Sequence, residues 1–233
     1  LSTITGAALT SDYTPADSGL KLGEMLSVTR EYLDDPNGRR HKRNVLVRHI
    51  NAAQADCKRV IEQADDSFFS VMVDLTVVSG DNDYEFDLPA DFSKLLHIEK
   101  VVASGTPTPA VPINFARRHP IGDERFLPEG LSTPPTYYLR DDKIGIVKPG
   151  DSYTLRLYYS RALPRLDADA DTSDIPSDYH DLVCLQGAKR GFGSEQRQMP
   201  PDLEGLRQEL TAQLRTYVED RQRQYPTFVD LLE

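Results

Sequence analysis

The sequence predicts an α+β fold: an α-helical bundle of about four helices with an inserted antiparallel β-sandwich or barrel. Residues 40–64 repeat apolar side chains with the period of an α-helix and contain neither Gly nor Pro. Residues 68–160 instead contain short β-rich runs separated by turn-forming residues. The helical period returns after Ser177. The β region therefore interrupts a helical frame.

The long helix predicted at 40–64 is the element around which the chain is organised. A helix of this length must bury one side against another element. We expect the opposite side, which includes Asn51, Gln54 and Lys58, to face solvent. The predicted buried side consists of Leu46, Ile50, Ala53, Cys57, Val60, Ile61 and Ala64.

Three further helices are predicted at 20–33, 178–196 and 202–224. The helix at 178–196 contains several glycines, which would let another backbone approach closely. Its most economical partner is the long helix, and that packing would bring Cys184 towards Cys57. We expect both thiols to be buried and unbonded, as in proteins of a reducing compartment.

The β region is predicted from alternating apolar and polar residues. Runs 68–78 and 84–89 flank a turn, so we expect them to pair as a hairpin. Residues 114–135, rich in Pro and Gly, form a long excursion, and such excursions are usually interaction or functional loops. Further strands are predicted at 95–103, 137–140, 143–148 and 152–160, with 105–112 as a loop or edge strand.

The predicted elements divide the chain into consecutive regions. Residues 1–66 form an N-terminal arm, strand-like at its beginning, and the first two helices. Residues 67–162 form the β module, and residues 163–224 form an acidic linker and the last two helices. Residues 225–233 form a tail that is apolar for a chain terminus. Such a tail either folds onto its own core or docks on another molecule.

Composition argues against a protein that binds nucleic acid tightly. The formal net charge is −10, whereas proteins that neutralise DNA phosphates are basic. An acidic surface suits solubility, or a channel along which DNA passes without binding. We find no apolar run long enough to span a membrane and no signal-peptide pattern at the N-terminus.

No residue pattern indicates catalysis or a metal site, so we expect a protein that is not an enzyme and has no cofactor. Asp167, Asp169 and Asp171 have the spacing of a calcium-binding loop, but Thr172 stands where that loop needs Gly. His and Cys residues lack metal-ligand spacing, and no GxSxG elbow occurs. We interpret the three aspartates as a solvated acidic loop.

Short motifs follow one another in a characteristic order over residues 20–220. Asp35-Pro36 ends the first helix, and Ile50-Asn51-Ala52-Ala53-Gln54 lies in the second. The later motifs are Thr76-Val77, Tyr84-x-x-x-Leu88-Pro89-x-Asp91-Phe92, Pro134 to Tyr138, Ile144 to Pro149, Leu155 to Tyr159, Leu163 to Leu166, Ile175 to Tyr179 and Gly187-Ala188. In this order they resemble the head-to-tail adaptors of tailed bacteriophages, the T7-type connectors also called tail tubular protein A or gatekeeper.

The resemblance implies a virion structural protein of the phage neck, assembled in the host bacterial cytoplasm. Such adaptors form rings of about twelve copies beneath the portal protein. They extend the DNA channel and help retain the genome until ejection. The helical bundle would contact the portal and the β module the tail tube or nozzle protein, while DNA passes without specific binding. Catalysis, cofactors and membranes play no part.

Two segments are candidate sites. The tail would bind the portal through Tyr225, Phe228, Val229, Leu231 and Leu232. A basic run would contact DNA or an acidic partner through Arg39, Arg40, Lys42 and Arg43. The alternative interpretation of the basic run is a solvated first helical turn, balanced by Asp34 and Asp35.

A competing function is that of a non-enzymatic binding module in a tail or fibre assembly, recognising protein or carbohydrate. Carbohydrate modules present exposed aromatic residues. Tyr137, Tyr138, Tyr158 and Tyr159, predicted on two neighbouring strands, could supply such a face. We favour core packing for these four side chains.

Overall fold

A computed structural model describes residues 19–78, 84–101, 107–112, 135–147 and 152–224. The chain divides into two compact units. Of the described residues, those within 69–161 form the β unit, and those within 19–68 and 162–224 form the helical unit. The β unit is thus inserted in the sequence of the helical unit, and the predicted α+β class is confirmed.

The helical unit contains the predicted helices, each within a few residues of its expected ends. A short 3-10 turn at Ser177–Tyr179 precedes the third of them. The backbone N–H of Lys21 donates to the Glu24 carboxylate at 2.8 Å, which satisfies one donor at the start of the first helix. The helices are α1 (Leu22–Tyr32), α2 (Arg43–Ala64), α3 (His180–Ser194) and α4 (Pro201–Gln224).

Glycine allows α3 to approach a neighbouring element more closely than a β-carbon would, as predicted, at one of three positions. A β-carbon at Gly187 would lie 3.5 Å from Ile50 Cγ1 of α2. A β-carbon at Gly191 would lie 2.8 Å from Leu33 Cδ2, closer than real β-carbons come. Gly193 has no such neighbour within 4 Å. Gly191 therefore allows α3 to approach the end of α1, whereas a β-carbon at Gly187 would make only ordinary van der Waals contact with α2.

The predicted packing of the long helix on α3 is confirmed, and both cysteines are buried and free. Burial raises the pKa of the Cys57 thiol to about 12 and that of the Cys184 thiol to about 12. Because the thiolate is the reactive form, both thiols are inert near neutral pH.

The buried side of α2 is wider than predicted. Leu46, Ile50 and Ile61 are fully buried, as expected. Gln54 and Lys58, expected in solvent, are only 3% and 8% exposed. The expectation was wrong for these two because each polar group finds a partner: Gln54 binds the chain returning from the β unit, and Lys58 Nζ lies 2.9 Å from Glu62.

The β unit is built from two sheets. Their strand orders are β1-β8-β3-β4 and β2-β7-β6-β5. Among the described pairs, only β5 and β6 run parallel. The strands are β1 (Ser70–Val77), β2 (Tyr84–Asp87), β3 (Phe92–Val101), β4 (Thr108–Pro109), β5 (Val111–Pro112), β6 (Thr136–Arg140), β7 (Lys143–Ile146) and β8 (Tyr153–Arg161).

The predicted hairpin of the first two strands is wrong. β1 pairs with β8, and β2 pairs with β7 in the other sheet. Local alternation gives both strands an apolar side but does not specify which edge each strand joins. Likewise, β6 and β8, which carry the paired tyrosines, are not neighbours. Of the 114–135 excursion, only Pro135 lies within the described residues.

Both sheets contribute to one apolar core. Leu75 and Val77 of β1 and Leu155 and Leu157 of β8 come from the first sheet. Ile144, Ile146 and Tyr137 come from the second sheet and join the same cluster. Shared burial of both inner faces is the arrangement of a β-sandwich.

Candidate interaction surfaces

The basic run lies between α1 and α2 and is held by one buried carboxylate. Asp35 accepts backbone N–H donors from Arg39, Arg40 and His41 at 2.8, 3.0 and 2.9 Å. Burial by itself would raise the pKa of Asp35, but these donors hold it below its ordinary value. The backbone of the basic run is therefore fixed by the Asp-Pro that ends α1.

Two of the four predicted cations already have partners within the chain. The Arg40 guanidinium donates to Leu33 O at 2.8 Å and to Asp34 O, the free carbonyls beyond α1. Arg43 contacts the Asp169 carboxylate at 2.6 Å. Arg40 and Arg43 thus stabilise the fold, where the sequence alone suggested contacts with another molecule.

The other two cations are more available. The side chains of Arg39 and Lys42 are exposed and make no hydrogen bond or ion pair with any described residue. They lie on either side of Arg40 and His41 at the start of α2. Any external contact of the basic run therefore depends mainly on Arg39 and Lys42.

Glu195 and Arg197, beyond the end of α3, join this region. Glu195 Oε2 lies 2.9 Å from Arg197 Nη1 and 4.0 Å from Arg40 Nη1, and its Oε1 lies 3.1 Å from the buried His41 Nε2. We call Arg39, Arg40, Lys42, Glu195 and Arg197 the basic corner. Sequence analysis missed its last two members because they lie far along the chain and belong to no motif.

The Asn and Gln of the Ile-Asn-x-Ala-Gln motif hold the segment that returns from the β unit. Asn51 Nδ2 donates to Leu166 O at 2.8 Å, and Leu166 N donates to Asn51 Oδ1 at 2.8 Å. Gln54 Nε2 donates to Pro164 O at 3.0 Å, and its Oε1 accepts from Ser173 Oγ at 2.6 Å. These motif residues act on the chain's own backbone.

The acidic loop that follows also has a structural role. The Asp171 carboxylate accepts the backbone N–H groups of Asp167 and Ala168 at 2.7 and 2.8 Å, which lowers the pKa of Asp171. The loop's carbonyls accept the first N–H groups of α1, Leu22 to Asp171 at 2.8 Å and Gly23 to Asp169 at 3.1 Å. The loop therefore caps α1.

In the part of the chain that the structure describes, no three His, Cys, Asp or Glu side chains are grouped so as to hold a metal ion. Within the same residues, no helix is both long and apolar enough to cross a bilayer.

The motifs of the β unit pair with one another across strands. Tyr138 lies over Gly145, where a β-carbon would overlap its ring, and its hydroxyl donates to Glu85 at 2.9 Å. The Tyr159 hydroxyl donates to Asp91 at 2.9 Å. The Tyr-Tyr, Ile-Gly-Ile and Leu-Pro-x-Asp motifs are therefore contacts that maintain the sandwich.

The aromatic residues considered for carbohydrate binding are mostly inaccessible. Tyr137, Tyr138 and Tyr159 are buried, which confirms core packing for these three. Tyr158 is half-buried, and its hydroxyl donates to Glu99 at 3.1 Å. These four side chains therefore do not form an exposed aromatic face.

The last helix presents apolar side chains in two directions. Leu214 and Val218 are fully buried, whereas Leu206 and Tyr217 are each 37% exposed. The apolar residues of α4 therefore divide between the buried side of the helix and the surface, where Leu206 and Tyr217 lie. The predicted portal-binding residues Tyr225, Phe228, Val229, Leu231 and Leu232 lie outside the described residues.

Comparison with known proteins places the chain in a family. No curated protein matches the sequence. The family described as SU10 adaptor protein matches residues 20–229, which include all four helices and the inserted β unit. The chain therefore belongs to the SU10 adaptor protein family, a family of bacteriophage structural adaptors of the head-tail junction.

Proposed function

We propose that this chain forms the ring that joins the portal to the tail, as the T7-type gatekeepers do. In that position it extends the DNA channel and helps retain the genome until ejection. The family match over residues 20–229 is the observation that carries the proposal. It covers the helical unit and the inserted β unit together.

A ring of identical subunits needs two unlike lateral faces that close on each other. We propose about twelve copies, with the helical unit towards the portal protein and the β unit towards the tail tube or nozzle protein. The net charge of −10 favours a channel that repels the DNA backbone, so that DNA passes without specific binding.

The C-terminal tail is the proposed portal anchor. It continues from α4, which Leu214 and Val218 fix to the bundle and whose Arg221 guanidinium lies 4.5 Å above the Phe68 ring. A tail extending from a well-held helix starts at a fixed point, which reduces the entropy lost on docking. Phe228, Leu231 and Leu232 supply the apolar area.

The basic corner is the proposed second contact. Its exposed cations Arg39 and Lys42 would meet either the acidic rim of the portal or the passing DNA. These two partners differ in their dependence on salt. Release of counterions from DNA gives a steep loss of affinity with rising salt, with a slope that follows the number of phosphates neutralised.

The decisive experiment measures particle mass. Light scattering and electron microscopy would be applied to the chain alone and to the chain mixed with the portal of the same phage. A discrete ring, or a portal carrying a second ring, is the expected result. A monomer that does not bind the portal would contradict the adaptor proposal, and the binding-module function would then be favoured.

A further inference from the structure

The outward side of α2 is a basic helix face. Arg48, Ala52, Ala55 and Arg59 recur at the helical period and therefore lie on one side of the helix. Ala52 is half-buried and the other three residues are exposed, with 69% of the Arg59 side chain accessible. Arg48 makes no hydrogen bond or ion pair with any described residue. We call these four residues the α2 face.

The charge of this region is opposite to that of the chain as a whole. Residues 39–59 contain seven Lys or Arg residues and one Asp, in a chain whose net charge is −10. That Asp, Asp56, lies beside the α2 face and is shared between Arg59 at 3.3 Å and Arg190 at 2.5 Å. Since one carboxylate serves two guanidinium groups, the surface around the α2 face remains positive.

The outward side of α1 carries the opposite charge. Glu24, Ser27 and Glu31 are exposed at helical spacing, and Asp34 is exposed just beyond the end of the helix. The carboxylates of Glu31 and Asp34 make no hydrogen bond or ion pair with any described residue. We call these four residues the α1 face. It is acidic where the α2 face is basic.

The two faces also match in length. At 1.5 Å per residue, Glu24 to Asp34 spans about 15 Å and Arg48 to Arg59 spans about 16 Å. Between its charged ends each face has short side chains, which allow two helices to approach closely. Both faces are exposed within one chain, so they do not cover each other there.

We propose that the α1 face of one copy of this chain docks on the α2 face of the next copy. Charge complementarity identifies a second copy as the partner, because the same chain carries both faces. The contact joins two unlike surfaces, so it repeats from copy to copy and is able to close a ring. This inference rests on the ring under Proposed function and assigns the lateral contact of that ring.

Charge reversal on each face tests the contact. Arg48→Glu with Arg59→Glu makes the α2 face acidic, and Ser27→Lys with Glu31→Lys makes the α1 face basic. Assembly is measured by light scattering and electron microscopy, for each chain alone and mixed with the portal. Each variant should need on the order of tenfold more protein than the parent to form rings, because like charges then meet at the contact.

Restored assembly distinguishes a lost contact from a lost fold. All four substitutions in one chain should return assembly towards that of the parent, because the two faces again have opposite charges. An equimolar mixture of the two variants should also assemble, with the variants alternating around the ring. Arg215→Glu with Arg223→Glu, at exposed residues of α4, changes the net charge as much as the α2 variant and should leave assembly unchanged.

The outcomes separate this contact from the ring itself. If the parent forms no ring, alone or with the portal, the ring and this contact are both overturned. If the parent and the α2 variant assemble at the same concentration, only this contact is overturned. Weaker binding of duplex DNA by that variant ring would then assign the α2 face to nucleic acid. A chain with all four substitutions that fails to assemble would also overturn the pairing of the two faces.

Discussion

The side chain of Asn51 bonds the backbone of Leu166 as a neighbouring strand would. Its Nδ2 donates to Leu166 O and its Oδ1 accepts from Leu166 N, both at 2.8 Å. The same Nδ2 lies 2.9 Å from Val47 O one turn earlier, which orients the amide. One residue of α2 therefore fixes the position of the returning chain along the helix.

Asn51→Ala should lower the unfolding free energy of the helical unit by about 1–3 kcal/mol, because both Leu166 backbone groups lose their partner. Urea unfolding followed by far-UV circular dichroism measures the change. Gln63→Ala, an exposed residue of the same helix, is the matched control and should have almost no effect. Equal stability of the two variants would show that the returning segment is held by other contacts.

The helices were predictable because their pattern is local. A stripe of apolar residues at a period of 3.6 gives position and buried face together, as at Leu46, Ile50 and Ile61. Strand pairing was not predictable in this way. β1 pairs with β8, for example at Val77 and Tyr153. Nothing in the local sequence of β1 indicates that β8, far along the chain, is the strand it pairs with.

The basic run shows that the prediction of a binding site from sequence has the same limit. Its charge was visible in the sequence, but its partners were not. Arg43 pairs with Asp169 across the fold, and Arg40 bonds Leu33 O and approaches Glu195. Gln54 was misplaced for the same reason, because the carbonyl that satisfies it belongs to Pro164, on the chain returning from the β unit.

Gly145→Ala should destabilise the β unit by about 1–3 kcal/mol, because the added methyl group displaces the buried ring of Tyr138. Thermal unfolding of the single variants and of Gly145→Ala combined with Tyr138→Leu measures the coupling. The smaller side chain should remove part of the cost of the methyl group, so the two changes should be less than additive. Additive losses of stability would mean that the ring of Tyr138 is not what makes a methyl group at position 145 unfavourable.

Charge reversal should separate structure from binding at the basic corner. Arg39→Glu with Lys42→Glu should change the unfolding free energy by less than about 0.5 kcal/mol, since both side chains are exposed. Arg40→Glu should cost about 1–2 kcal/mol, because it removes the donors at the end of α1. Thermal melts measure both effects.

The same double variant should weaken binding to the portal or to DNA, measured over a series of salt concentrations. A reduced salt slope for DNA would indicate phosphate contacts, and weakened portal binding would indicate the acidic rim. Unchanged binding to both would show that the basic corner serves only the fold.

Glu204 should make the contact between α3 and α4 sensitive to acid. The Arg207 hydrogen bonds at 2.6 and 3.1 Å lower the pKa of Glu204 from 4.5 to about 2. Hydrogen bonds from Gln208, on the same helix, and from Lys189 of α3 lower it further. Since the folded state lowers this pKa, its contribution is present above 4.5 and is lost as the pH falls towards about 2.

Glu204→Gln should therefore be less stable than the parent near neutral pH, and the difference should shrink below pH 4.5. Denaturant unfolding over a pH series measures it. Glu219→Gln, on the same helix and without an ion pair among the described residues, is the matched control for the loss of one carboxylate from α4. If the difference in stability between Glu204→Gln and the parent did not change with pH, the charge of Glu204 would not contribute to stability.

Removal of residues 226–233 should abolish binding to the portal while leaving the fold intact. The described helix α4 ends at Gln224, and its buried residues Leu214 and Val218 remain in the shortened chain. Sedimentation with purified portal measures binding, and the thermal midpoint reports the fold. Exchanging Phe228, Leu231 and Leu232 for Ser should reproduce the loss, whereas exchanging Thr227 and Asp230 for Ala should not. Portal binding that survives the deletion would move the anchor elsewhere, with Leu206 and Tyr217 on the exposed side of α4 as the next surface to change.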